Sequence, residues 1–169
     1  MRNFSTEISI LGRLFNDTLI NTPFFFPRPI KEWQAIFREF APLLENKNII
    51  FALKNGIEIG FMLWHPNYNM ILHNNATNNA VSFYLKYLFH RSEINQFKIN
   101  AVGVMPQYYK SGVILGLFQE LYVMVGDKYS AGETSFVFDE NIASTKICQR
   151  FCGNPYRQYK IYETSSQKI

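Results

Sequence analysis

Apolar side chains recur about every three to four residues in the first part of the chain, and this spacing predicts two amphipathic helices. The first would span 5–20, with Ser5 as its N-cap and a buried stripe of Ile8, Leu11, Leu14, Phe15 and Leu19. The second would span 30–44, with Pro42 kinking or shortening its last turn. The segment 21–29 between them holds three prolines and three phenylalanines, which predicts an extended aromatic loop. Its phenylalanines either anchor the loop in the core or form one wall of an apolar pocket.

The rest of the chain alternates between strand patterns and helix patterns. Asn55-Gly56, between two apolar runs, predicts a tight hairpin turn, because these residues adopt the positive φ angles that such a turn needs. The asparagine-rich stretch 70–79 predicts a loop. Strands are expected at 48–53, 57–64, 97–105, 133–138 and 159–163, and helices at 80–89, 113–125 and 141–152. With neither a repeat nor a linker, this order predicts a single domain over residues 1–169 with a mixed sheet, of α/β or α+β class.

Residues 101–117 join a buried strand that ends at Pro106 to a helix, through a short loop centred on Gly112. The start of a helix leaves backbone N–H groups unpaired and carries partial positive charge, so this junction can seat a phosphate. A single glycine is a weak phosphate motif, and such a junction can equally be a plain connection. Both interpretations stay open at this point.

Composition narrows the classes of protein that the sequence fits. Hydrophobic residues make up 47% of the 169, which is enough for a substantial core. The formal net charge is +4 without any adjacent basic residues, so no nucleic-acid surface is expected. Neither a membrane-spanning window nor a signal peptide is evident, so we expect a cytoplasmic protein without membrane contacts. Three histidines without ligand spacing, and two cysteines four residues apart (Cys148 and Cys152), predict neither a metal site nor a disulfide framework.

Three pieces of the sequence, in this order, resemble the GNAT superfamily of N-acyltransferases. They are the hairpin 52–61, the junction Pro-x-Tyr-x-x-x-Gly-Val-Ile at 106–114, and the strand–Asn–helix unit from Glu133 through Asn141 to Gly153. The likeness covers nearly the whole chain and is greatest to a bacterial subgroup of that superfamily. It implies an α+β fold of three layers, α/β/α, with a mixed, mostly antiparallel sheet and a V-shaped split between its two central strands. The first strand of that fold is not evident, so it is missing, very short or supplied by another segment or a partner.

The resemblance also implies a function, the transfer of an acetyl or other acyl group from acyl-CoA to an amine of a small molecule or peptide. The pantetheine arm would lie between the strand ending at Met105 and the strand 133–138, with the diphosphate on the loop before the helix. The binding residues so implied are Val102, Val104, Tyr109, Lys110, Ser111, Gly112, Val113, Ile114 and Asn141. The Val104 N–H would polarise the thioester carbonyl. A homodimer is compatible with this picture.

Two departures from the superfamily pattern define the alternative. Tyr109 stands where a basic or amide residue is usual, and Ile114 stands where a small residue is usual. Cys148 occupies the place of a tyrosine that acts as the general acid in many members, and it either protonates the leaving thiolate or packs in the core. The alternative function is therefore a catalytically inactive GNAT-like module for binding or assembly.

The proton of the attacking amine needs an acceptor. Glu133 is a candidate base or amine anchor, or else a solvated acid at a strand end. Glu58, on the hairpin, is expected to be exposed. His65, beside Pro66, either faces the acceptor side or has a structural role.

Overall fold

The helices and strands follow the predicted order closely. The structure is a computed structural model, and it describes residues 4–72 and 80–162. The helices are α1 (Phe4–Leu19), α2 (Ile30–Phe40), α3 (Ala80–His90), α4 (Val113–Val125) and α5 (Ile142–Cys152). The strands are β1 (Ile49–Lys54), β2 (Ile57–Pro66), β3 (Gln96–Val104) and β4 (Ala131–Thr134). The predicted loop 70–79 lies mostly outside the described residues; its first residue, Met70, closes a short 3-10 helix.

The described strands form one mixed sheet in the order β1-β2-β3-β4. The first two ladders are antiparallel, whereas β3 and β4 run parallel. Asn55 (φ 52°) and Gly56 (φ 79°) make the predicted turn between β1 and β2. A bulge interrupts the β2–β3 ladder, because Leu63 faces Ala101 while Trp64 faces Ile99, which leaves Asn100 as the extra residue.

One face of the sheet is covered by α1 and α2. Side chains alternate along β2, so Phe61 and Leu63 point to this face. They join a buried cluster with residues of both helices, namely Ile8, Leu11, Leu14, Phe15, Trp33 and Phe37. The stripe predicted for α1 therefore packs on the sheet as expected.

The opposite face of the sheet is also buried. Met62 and Trp64, which alternate with Phe61 and Leu63, are fully buried. Helix α4 contacts β1, β2 and β3, and its buried side chains are Leu117, Phe118, Leu121 and Val125. Helices on both faces of one sheet give the three layers expected for an α+β fold of the GNAT type.

The loop 21–29 anchors one of its phenylalanines in the core. Phe25 packs against the core cluster, with its ring centroid 6.5 Å from that of Trp33. Phe24 and Phe26 are exposed instead. Asn16 of α1 pins the loop, since its side chain donates to the Arg28 carbonyl (2.8 Å) and accepts from the Arg28 N–H (3.1 Å).

Two predicted boundaries and one predicted strand were wrong. Helix α2 ends at Phe40, and Pro42 lies in a 3-10 turn at 41–43, which is the shortening that a proline favours. The strand predicted at 133–138 begins earlier and ends at Thr134. The strand predicted at 159–163 is absent over 159–162, its described part, where four consecutive residues have no regular structure.

The chain divides into two compact units, Met1–Ser135 and Phe136–Ile169. The sheet and α1 to α4 belong to the first unit. The described part of the second unit consists of α5 and the irregular segments on either side of it. None of the helices in the described ranges has the length and apolar character that crossing a membrane requires.

Helix α1 approaches β3 closely at Gly103. A Cβ atom placed on Gly103 would clash with the Thr18 hydroxyl and with the ring of Phe61. We expect Gly103→Ala to lower the free energy of unfolding by about 1–3 kcal/mol, the usual cost of overpacking. Gly116→Ala is the matched control, because its new Cβ would meet nothing within 4 Å and alanine favours the helix by up to about 1 kcal/mol. Urea denaturation measures both, and a Gly103→Ala protein as stable as the native one would contradict the close approach.

Candidate functional site

The parallel ladder between β3 and β4 is short and ends abruptly. It comprises four pairs, from Gln96–Ala131 to Ile99–Thr134, and the Ser135 N–H adds one bond to the Ile99 carbonyl at 2.8 Å. Strand β3 continues to Val104, paired with β2 only. In the part of the chain that the structure describes, no strand pairs with the other edge of β3 beyond Ile99. This open edge of β3, residues 100–104, is about 15 Å long at the usual rise of a strand.

Backbone groups of two valines point to the open edge. The Met105 N–H donates to the Ile59 carbonyl at 2.8 Å, so Met105 faces β2. Paired and unpaired groups alternate along a strand with an antiparallel neighbour, so Val104 and Val102 face away from β2. Their N–H and C=O groups therefore point toward the open edge, where Val102 is partly exposed and Val104 is buried, with 4% of its surface exposed.

Helix α4 begins immediately beyond this edge, after a short 3-10 turn at Pro106–Tyr108. Gly112 is its N-cap, with φ 78° in the left-handed region that glycine adopts without strain. No side chain caps the helix, so the first N–H groups of α4 keep their partial positive charge and have no side-chain acceptor. A Cβ on Gly112 would meet nothing within 4 Å, so the space above this helix start is open.

The other residues of the predicted phosphate loop divide into two groups. Tyr109 and Lys110 are exposed, and Lys110 can bring its ammonium group to an anion. The Ser111 hydroxyl donates to the Tyr108 carbonyl at 2.7 Å, so it stabilises the turn in this arrangement. Val113 and Ile114 are half-buried, and they contribute backbone N–H groups at the start of the helix.

Both candidate acids of the first unit are paired with basic side chains. The carboxylate of Glu133 lies 2.7 Å from the Lys98 ammonium, its neighbour across the β3–β4 ladder. Glu133 thus sits in the paired half of the ladder, before the open edge begins. Glu58, expected to be exposed, has a side chain only 12% exposed and pairs with Arg13 of α1 at 3.3 Å. That expectation was wrong because α1 covers this end of the hairpin.

His65 is half-buried at the end of β2. Its Nδ1 lies 2.6 Å from the Pro66 carbonyl oxygen, and its Nε2 lies 3.1 Å from Oδ1 of Asn100. The imidazole stacks on the ring of Tyr68, with 4.9 Å between ring centroids. Burial lowers the pKa of His65 below its usual value, so the ring is neutral at pH 7.

The remaining predicted residues belong to the second unit. Asn141 caps α5, accepting from the Ser144 N–H at 3.1 Å. Cys148 lies on α5 and is partly buried. Burial, followed by the neighbouring Cys148, raises the pKa of the Cys152 thiol to about 11.

The structure brings the open β3 edge, the start of α4 and the Glu133–Lys98 pair together in one unit. Sequence reasoning missed Lys98 and Asn100. Lys98 and Glu133 are 35 residues apart in the sequence, and nothing in the sequence reveals the bulge at Asn100.

No family model and no curated protein matches the sequence. Solved structures do match the fold. The aminoglycoside N-acetyltransferase AAC(6')-Iy in complex with CoA has a TM-score of 0.58 and 17% identity, over 94% of this chain and 89% of that chain. A possible acetyltransferase from Clostridium difficile 630 has a TM-score of 0.59 and 13% identity, over 98% and 95%. The ribosomal-protein-alanine N-acetyltransferase from Brucella melitensis biovar Abortus 2308 has a TM-score of 0.57 and 10% identity, over 96% and 95%.

These matches and the sheet topology together define the class of fold. The chain has the α+β fold of GNAT-type N-acetyltransferases, as the resemblance in the sequence implied. At these identities the likeness concerns the fold, and what the protein does has to be argued from its own residues.

Proposed function

We propose that the protein is an acyl-CoA-dependent N-acyltransferase that moves an acetyl or other acyl group directly to an amine. The observation that carries this proposal is the open edge of β3, which leads within ten residues into the uncapped start of α4. One side of the site offers peptide groups to amides, and its end offers positive charge to a diphosphate. CoA carries both kinds of group, joined in this order.

The residues fit the two parts of CoA. The N–H and C=O groups of Val102 and Val104 would pair with the pantetheine amides, as a peptide pairs with a sheet edge. The N–H groups of Val113 and Ile114, with the Lys110 ammonium, would hold the diphosphate. Gly112 leaves room for the phosphates. Tyr109 and Ser111 remain proposed contacts.

Acyl-CoA supplies an activated thioester. The amine nitrogen attacks its carbonyl carbon, the C–N bond forms, the C–S bond breaks, and the thiolate leaves and takes up a proton. Backbone N–H groups at the open edge would donate to the carbonyl oxygen as it gains negative charge. The resemblance implies Val104 as this donor, whereas Val102 faces the same edge farther from the diphosphate, where the end of the arm would lie, and is the better placed of the two. Holding both reactants in place supplies the rest of the acceleration.

The two side chains proposed for proton transfer, Cys148 and Glu133, differ in the evidence that supports each role. Cys148 lies in the second unit, and its proposal as donor to the leaving thiolate rests on the resemblance alone. Glu133 is held by Lys98, so taking up the amine proton would disrupt an ion pair. The proposed acceptor is an amine of a small molecule or peptide, because similar folds are named for aminoglycosides and for a ribosomal-protein alanine.

Thermal unfolding with acetyl-CoA tests the proposal. At 100 times its Kd, a ligand adds about 2.7 kcal/mol of stability, which corresponds to a rise in Tm of about 5–10 °C for a chain of this size. ADP, which lacks the arm, and acetyl-pantetheine, which lacks the diphosphate, should each give a smaller shift. Thiol release from acetyl-CoA with a panel of primary amines then tests transfer. No shift with acetyl-CoA or longer acyl-CoAs would favour the inactive binding or assembly module instead.

A further inference from the structure

Three polar side chains form a row across the first unit's sheet. His65 on β2 faces Lys98 on β3, and Lys98 faces Glu133 on β4. By the alternation of side chains along β2, the row lies on the same face as Phe61 and Leu63. It crosses the β3–β4 ladder one pair before the last, so it stands beside the point where the open edge begins.

His65 contacts the first residue of that edge. Its Nε2 is 3.1 Å from the side chain of Asn100, which is the first residue of β3 beyond the ladder and is exposed. The end of the CoA arm that carries the thioester would lie at this end of the open edge, because the diphosphate occupies the other end at α4.

Both ring nitrogens of His65 face oxygen atoms, Nδ1 that of the Pro66 carbonyl at 2.6 Å and Nε2 that of the Asn100 side chain at 3.1 Å. The Pro66 carbonyl can only accept a hydrogen bond, whereas the exposed amide of Asn100 can turn over and present its NH2 group, so we assign the hydrogen of the neutral ring to Nδ1. A neutral imidazole has one N–H, which leaves a lone pair on Nε2. The amide of Asn100 can turn so that its NH2 group donates to this lone pair, or it can move aside so that another N–H group donates there.

We propose that His65 is the general base of the transfer reaction, with Nε2 accepting the proton of the attacking amine. The lone pair of the amine nitrogen forms the C–N bond, the electrons of the broken N–H bond stay on that nitrogen, and the proton later passes from Nε2 to the thiolate that leaves when the C–S bond breaks. This inference rests on the proposed function, and it places the base on β2 instead of at Glu133, whose carboxylate is engaged by Lys98.

The surroundings keep the ring neutral and oriented. Tyr68 stacks on it. The contacts with the Pro66 carbonyl and the Asn100 side chain favour its protonation, as the Glu133 carboxylate does, and the Lys98 ammonium opposes it. Burial outweighs these and lowers the pKa of His65. His65 is therefore unprotonated, and active as a base, even at pH values just below the usual pKa of an imidazole. The loss of kcat/KM on acidification should accordingly lie below pH 6.5.

His65→Gln tests the role, with His90→Gln as the matched control at the exposed end of α3. We expect His65→Gln to lower kcat for thiol release from acetyl-CoA with primary amines by about 10²–10⁴-fold. The acid limb should disappear, while the Kd for acetyl-CoA stays within about twofold of the native value. Imidazole added to His65→Ala should restore part of the rate. A His65→Gln enzyme with native kcat would overturn the role of His65 alone, whereas a native protein that binds no acyl-CoA would overturn the proposed function too.

A second measurement does not depend on turnover. Nitrogen-15 NMR distinguishes the two imidazole tautomers, and the three histidines of the chain make assignment by substitution direct. The Nδ1–H form at His65 is expected both with and without bound CoA. Observation of the Nε2–H form would remove the lone pair from the position that the role requires and would overturn the proposal.

Discussion

Replacement of Gly112 by glutamate should abolish the stabilisation of the protein by acetyl-CoA. Gly112 is the N-cap of α4, and its Cβ position is open, so the new carboxylate would project where the diphosphate is proposed to bind. Unit charges about 4 Å apart near a protein surface repel by about 4 kcal/mol, so the Kd should rise at least about 100-fold. Isothermal calorimetry with acetyl-CoA measures this change.

Gly56→Glu is the matched control for this experiment. Gly56 has φ 79°, against 78° at Gly112, and a Cβ on either residue would meet nothing within 4 Å. Both variants therefore carry a similar backbone strain of about 1–2 kcal/mol, and their thermal stabilities without ligand should be lowered alike. Only Gly112→Glu should lose binding. Equal affinity in the two variants would mean that the diphosphate does not lie at the start of α4.

Replacement of Trp64 by alanine should cause the largest loss of stability among single changes in the sheet. Trp64 is fully buried, its indole N–H donates to the Lys47 carbonyl at 2.7 Å, and its ring meets Phe97 and Tyr129 edge to face. Truncation of a buried aromatic costs about 3–5 kcal/mol. Chemical denaturation followed by circular dichroism measures the difference.

Phe89→Ala provides the comparison for Trp64→Ala. Phe89 lies on α3 with 77% of its surface exposed, so its truncation should change the free energy of unfolding by less than about 0.5 kcal/mol. A Trp64→Ala protein within about 1 kcal/mol of the native one would show that this aromatic cluster does not hold the paired half of the β3–β4 ladder.

Local patterns were sufficient to predict most of the fold. The stripe of α1, the Asn55-Gly56 turn and the shortening of α2 near Pro42 follow from periodicity, positive φ and the missing N–H of proline. The strand at β4 was misplaced because the apolar residues after Thr134 have high strand propensity, while the actual strand includes Gly132. A Cβ on Gly132 would clash with the ring of Phe97, so β3 requires a glycine there. Such a contact between distant segments leaves no local pattern.

The candidate site was predictable only in part, for a similar reason. The strand, Gly112 and helix junction is contiguous in sequence, so its geometry could be anticipated. The pairing of Glu133 with Lys98 and the approach of His65 to Asn100 depend on strand register, which single residues do not encode. The segment 159–163 shows the opposite failure, a local pattern without the structure it predicts. Its alternating residues have high strand propensity, but they form no strand over 159–162.

The extra residue in β3 affects everything that follows it in the strand. Before Asn100, residues 97 and 99 share one orientation, and after it residues 102 and 104 take that same orientation. If Asn100 were instead paired opposite Leu63 as a regular ladder residue, the second half of β3 would be rotated by half a turn, and the peptide groups of Val102 and Val104 would be used up in bonding to β2. The same shift of register would put a valine side chain beneath α1, where only Gly103 fits. The one extra residue of β3 relative to β2 thus determines two things. It determines how closely α1 can pack on β3, and whether the peptide groups proposed to bind CoA face the open edge.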